Sequence, residues 1–143
     1  MEYTLARNKT ENTNLASEFF VAGQLFRLGH IVTITLGHTK EIDLIVTNEN
    51  GHVITIDVKG LKNKTNWPVK PKLISENHFF IFVSYLNKFS ELATEPDVFI
   101  VPSIRIKRML GKWSGNPNVT AIEYSKLKNS NYKNAWYLLF NQK

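Results

Sequence analysis

The chain has 143 residues, 43% of them hydrophobic and 21% charged, and no cysteine, which fits one globular domain spanning 1–143 and excludes a disulfide scaffold or a thiolate metal site. No apolar run approaches the ~20 residues of a membrane-spanning helix, and the polar, acid-containing start MEYTLARNKTEN is unlike a secretory signal, so a soluble, cytoplasmic protein with no membrane partner is expected. The formal charge of +6 favours a polyanionic partner and is unevenly spread: residues 1–58 hold four Lys/Arg against seven Asp/Glu, residues 59–143 fourteen against five.

In chain order, residues 14–29 predict a helix: Asn12 or Asn14 as its cap, Leu15, Phe19, Ala22 and Leu25 or Phe26 at helical spacing, and Gly29 to end it. Three β-branched runs follow, HIVTITL (30–36), EIDLIVT (41–47) and HVITIDVK (52–59), separated by turn chemistry at Gly37 and at NENG (48–51). They read as consecutive antiparallel strands. The stretch KGLKNKTNWPVKPK (59–72) looks structureless. HFFIFVSYL (78–86) and DVFIVP (97–102) read as strands, the second closed by Pro102, which lacks the N–H a central ladder requires. Ser103 is placed to cap a helix through about Leu110, VTAIEY (119–124) to form a short edge strand, and NAWYLLF (134–140) to be helix or strand. The order predicts an α/β (α+β) domain with one central sheet.

Four charged residues interrupt this apolar pattern. Glu18 follows Leu15 by three residues and precedes Ala22 and Leu25 by four and seven, which puts a carboxylate on the apolar face of the first helix. A buried charge there must be neutralised, paired or directed at a cation; the plain alternative is a half-exposed Glu in a salt bridge. Alternation separates Asp43 from Leu44 and Val46, and places Asp57 and Lys59 side by side on one face of the next strand. A three-residue loop, Glu49-Asn50-Gly51, with Gly51 left-handed, sets Asn48 opposite His52 and Asp43 opposite Asp57. Loops of two or four residues would split the two aspartates across faces. Like charges so placed need a cation between them. The histidines, His30, His38, His52 and His78, are scattered and show no HExxH spacing.

The pattern SEFFVAGQLFRLGHIV, then EIDLIV, then TIDVKG resembles the PD-(D/E)XK nuclease superfamily, whose members share a restriction-endonuclease-like or Holliday-junction-resolvase-like domain: Glu18 on a helix, Asp43 on the second strand, and Asp57-Val58-Lys59 on the third. The resemblance covers residues 14–60. Ile42 stands where the motif has proline, and the Arg- and Ser/Gly-rich segment of archaeal Holliday-junction resolvases is absent, with LGHTKE in its place. What the resemblance implies is a central mixed sheet with an antiparallel N-terminal meander flanked by helices, and a magnesium-dependent endonuclease, manganese substituting, that hydrolyses DNA phosphodiesters. It implies Asp43, Asp57 and the Val58 carbonyl as metal ligands, Glu18 holding metal-bound waters or a second ion, and Lys59 orienting or deprotonating the attacking water.

Beyond these residues, Lys62, Lys64, Trp67, Lys70 and Lys72 follow Lys59 with no acid among them, so point charges for a phosphate backbone and an aromatic for a base lie together; a solvated loop with a core-anchoring Trp is the equal alternative. Arg105, Lys107 and Arg108 form a second basic cluster. A chain this short leaves little surface for DNA, so a homodimer is expected. A catalytically silent nucleic-acid-binding or interaction module, and an unrelated α+β domain binding a small anion, are the competing readings.

Overall fold

The computed structural model describes residues 2–35, 42–113 and 115–140, with side chains from Glu11 onward. Helix α1 (Glu2–Arg27) begins well before the expected cap, so neither Asn12 nor Asn14 caps it. Its buried stripe runs through Thr13, Ser17, Glu18, Val21, Ala22 and Leu25, whereas Phe19 and Phe26, expected on that stripe, are each 55% exposed. The helix stops where the sequence places the stop: Gly29 has φ +89°, its N–H donates to Phe26 O and the His30 N–H to Leu25 O, the two bonds of a Schellman motif.

The strands β1 (Ile31–Ile34), β2 (Leu44–Thr47) and β3 (Val53–Leu61) form the expected antiparallel meander. The turn at Gly37 and the strand ends at Leu36 and Glu41 lie outside the described residues. The Asn48 N–H donates to His52 O, Asn48 Oδ1 accepts the Asn50 and His52 N–H groups, and Gly51 sits at φ +82°, so the loop has the length and the left-handed residue that the parity argument requires.

The stretch after Lys59 is not structureless. β3 continues to Leu61, and Asn66–Pro68 forms a short strand, β4, before the chain returns as β5 (His78–Ser84) beside β3 in parallel. β6 (Asp97–Pro102) pairs antiparallel with β5, completing a central mixed sheet of five strands in the order β1-β2-β3-β5-β6. Every residue of β5 is buried, because the sheet is covered on both faces. Phe79, Ile81 and Val83 face α1 and the C-terminal 3₁₀ helix Trp136–Leu139, while Phe80 and Phe82 face a second layer. NAWYLLF thus resolves as a 3₁₀ helix.

That second layer is a three-stranded sheet, β4-β8-β7, made with β7 (Gly111–Trp113) and β8 (Asn116–Glu123) and flanked by the 3₁₀ helix Ser103–Met109 and the short helix α2 (Tyr124–Lys128). β8 is its central strand and not an edge. Ser103 does not cap its helix; its hydroxyl donates to Ser75 O and accepts the Ser75 N–H, which ties the loop before β5 to the end of β6. Trp67 pins the two sheets together. It is 1% exposed, packs on Phe82, Phe99 and Tyr124, and donates its indole N–H to Val83 O. Replacing it by Phe removes that bond and part of the ring, and is expected to lower stability by about 1 kcal/mol in urea unfolding. Among the described residues no helix is long and apolar enough to cross a membrane.

Candidate functional site

The paired part of β2 ends at Leu44 opposite Ile56. One residue earlier the chain bends. The Asp43 N–H donates to Ile56 O at 2.8 Å while its carbonyl accepts the Thr35 N–H of the neighbouring chain segment at 2.9 Å. A residue inside a regular strand directs both groups to the same neighbour, so Asp43 has left the ladder and is not the plain cross-strand partner of Asp57 that the register alone predicts. The bend carries its side chain along β3, where Oδ2 accepts the Val58 N–H at 2.7 Å.

Asp57 and Lys59 project from the face of the central sheet that carries their ladder partners Phe80 and Phe82. Lys59 Nζ lies 3.3 Å from Asp57 Oδ1; the lysine side chain is one-third exposed and the carboxylate almost closed off. Burial pushes the Asp57 carboxyl up to about 7, Lys59 opposes that rise, and the Asp43 carboxylate adds to it both as a charge and through a hydrogen bond.

Glu18 approaches from α1. It is 6% exposed, its Oε1 has no hydrogen-bond partner, and burial first and the Asp43 charge second raise it to about 7. The four side chains predicted from the sequence are therefore gathered where β2 begins beside the middle of β3, with the Asp43 charge acting on both other acids. Val58 directs its N–H, and with it its carbonyl, toward the same edge.

A divalent cation suits this donor set on two observations: an orphaned buried carboxylate oxygen on Glu18, and a buried Asp57 carboxyl raised by burial and, against the pull of Lys59, by the Asp43 charge. Asp43, Asp57 and the Val58 carbonyl would hold it, with Glu18 closing the helix side. Among the described residues no preformed group of three or more His, Asp or Glu side chains is close enough to cage a metal.

The expected nucleic-acid residues fare unequally. Trp67 is core and cannot reach a base. The Lys62 ammonium lies 5.1 Å from the centre of the Phe89 ring, while Lys64, Lys70 and Lys72 are exposed. Sequence reasoning missed Gly60, where an added Cβ would stand 2.3 Å from Ser17 Oγ and 2.9 Å from Thr13 O. Its place directly after the Asp-x-Lys run was visible, but the helix crossing over it was not.

No protein-family profile and no curated protein matches this sequence. A solved structure of a bacterial homing endonuclease, I-Ssp6803I, superposes with a TM-score of 0.63 at 15% identity, covering 93% of this chain and 94% of that one. At that identity the likeness is one of fold.

Proposed function

We propose that the chain is a magnesium-dependent endonuclease of the PD-(D/E)XK kind that hydrolyses phosphodiester bonds in DNA. The observation that carries this reading is the convergence of Glu18, Asp43, Asp57 and Lys59 where β2 begins beside the middle of β3. The fold shared with a homing endonuclease supports it. A bound magnesium ion would supply positive charge to the phosphoryl oxygens and a more acidic water. Asp43 and Asp57 are held in position to bind such an ion, one by the Val58 N–H and the other by Lys59. The Lys59 ammonium, one-third exposed and paired with Asp57, orients the attacking water toward phosphorus and stabilises charge on the oxygens around it.

The test is incubation with supercoiled, linear, branched and single-stranded DNA and with RNA, in magnesium, manganese or EDTA. Cleavage by the parent is expected with either metal and not with EDTA, and Lys59→Ala should be about 10²–10⁴-fold slower. Cleavage that survives Lys59→Ala unchanged would show the site to be misassigned. Metal-independent binding without cleavage in this assay would instead establish a silent nucleic-acid-binding module.

Magnesium should also stabilise the protein in a pH-dependent way. Protons on Glu18 and Asp57 compete with the ion below about 7. The rise in melting temperature on adding millimolar magnesium is therefore expected to be larger at pH 8 than at pH 5. An equal rise at both would place the ion elsewhere.

A homodimer belongs to the proposal. Phe19 and Phe26, seven residues apart on α1, lie exposed with Leu28 and Ile31, an apolar strip that a second copy would cover. Sedimentation at micromolar concentration should give twice the chain mass, and Phe26→Asp should give one.

A further inference from the structure

Resting on that nuclease reading, we infer that the ribbon of β7 and β8, with the 3₁₀ helix Ser103–Met109 beside it, seats in the major groove of double-stranded DNA and reads base edges there.

Three observations carry this. The first is exposure. A half-buried strand alternates, yet Asn116, Pro117 and Asn118 are all exposed, and burial begins only at Ala121 and Ile122. The strand is nevertheless paired as far as Trp113 opposite Asn116. The register shifts between Lys112 and Trp113, so Pro117, Asn118 and Val119 bulge from the ladder and the ribbon ends in an exposed tip. Its tip is shaped in advance, since Asn116 Oδ1 accepts the Asn118 N–H at 3.0 Å. A two-stranded ribbon fits the ~12 Å major groove, and carboxamides pair there with adenine edges.

The second is charge. Between residues 103 and 128 there are six Lys/Arg and a single acid, Glu123. Arg105, Lys107, Arg108, Lys112 and Lys126 are exposed. They lie on the 3₁₀ helix, β7 and α2, and Lys126 Nζ reaches Arg108 O at 3.4 Å, which links α2 to that helix. Next to them is a depression of about 300 Å³ lined by Lys112, Trp113, Glu123 and Lys126 among others. Such a basic margin holds a duplex by its backbone and fixes the register of whatever enters the groove.

The third is placement. Asp57 and Lys59 face the layer to which the ribbon belongs. Phe82, the ladder partner of Lys59, packs 5.2 Å from Trp67, and the strand of Trp67 pairs with β8. The basic ribbon belongs to the layer that covers the sheet face carrying Asp57 and Lys59, so the uneven charge of the two halves of the sequence becomes a division of labour in space.

The test uses the full chain in EDTA, with binding followed by fluorescence anisotropy on a short duplex, the matching single strand and an RNA duplex, each across a salt series. Lys107→Gln/Arg108→Gln/Lys112→Gln, all at exposed positions, should keep the parent melting temperature. It should bind duplex DNA at least 10-fold more weakly, with the salt slope reduced by about 3. Asn118→Ala should keep the slope and change the sequences selected from a random duplex pool. Parent-like affinity in the triple variant, or single strands bound as tightly as duplex, would overturn the inference. The two proposals fail separately. A parent that never cleaves but loses duplex binding in the triple variant removes the nuclease and keeps the ribbon. A parent and triple variant that cleave the same duplex with equal KM remove the ribbon and keep the nuclease.

Discussion

Asp57→Asn is expected to abolish metal-dependent cleavage, by at least about 10³-fold, while making the metal-free protein more stable at pH 8. The two effects have one cause. In the absence of a cation, Asp57 is a buried carboxyl raised to about 7 by burial, with Lys59 opposing and Asp43 reinforcing the rise. A carboxyl whose folded value exceeds its unfolded one contributes its full stability below the unfolded value, near 3.8, and loses it as pH rises through the folded value. The parent therefore loses stability between about pH 4 and 7 on this account, by an amount on the order of a few kcal/mol, and Asn, which never ionises, does not.

The difference in urea midpoint between parent and variant in EDTA isolates this effect from His78, which burial lowers to about 4, and from Asp97, because both chains share them. For Asp97 burial works upward, but Tyr124, Lys133 and Lys128 outweigh it and hold the carboxyl low. The midpoint gap should be small at pH 4 and open toward pH 8. A gap that does not change with pH would mean that Asp57 is not buried at the cost its surroundings imply. A variant less stable than the parent at pH 8 would make Asp57 a structural partner of Lys59 and not a site held ready for a cation.

Gly60→Ala should be the most damaging single methyl in the molecule. The added carbon would meet Ser17 Oγ at 2.3 Å and the Thr13 carbonyl at 2.9 Å, so α1 must lift from β3. A loss of about 3 kcal/mol, or roughly 10 °C in melting temperature, is expected. Adding Ser17→Ala should restore only part of it, because the Thr13 contact is backbone and has no rotamer to yield. Full rescue would show that the side chain alone sets the helix distance. The same substitution bears on chemistry, since Glu18 follows Ser17 directly and moves with the helix. Any cleavage left in Gly60→Ala should show an altered magnesium requirement beyond what its fraction unfolded explains.

The legible and illegible parts of the fold divide along physical lines. The meander was legible because three β-branched runs and NENG carry their own local geometry, and a loop length fixes parity whatever surrounds it. The end of α1 was legible from Gly29 for the same reason. The second sheet was not. Two of its strands, β4 and β7, have three residues each, too few to show a period, and β4 pairs with a segment over fifty residues away. Trp67 sits in such a strand, and the lysines and asparagines around it in sequence suggested a wet loop. At the candidate site the identities of Glu18, Asp43, Asp57 and Lys59 followed from polar residues in apolar frames. The bend at Asp43 did not, because it arises from a hydrogen-bond choice between two neighbours and not from any residue type.

The excursion of the chain between β3 and β5 has a kinetic consequence. α1, β1, β2 and β3 close through contacts between sequence neighbours, so the segment bearing the four polar residues can assemble early. β4 finds its partner only after residues 116–123 are available, and Trp67 stays uncovered until then. Refolding should thus show fast protection of amides in β2 and β3, followed by slower burial of the tryptophan fluorophore. A chain released before β8 emerges would hold its acids in place while exposing Phe80, Phe82 and Phe99, a species prone to aggregate.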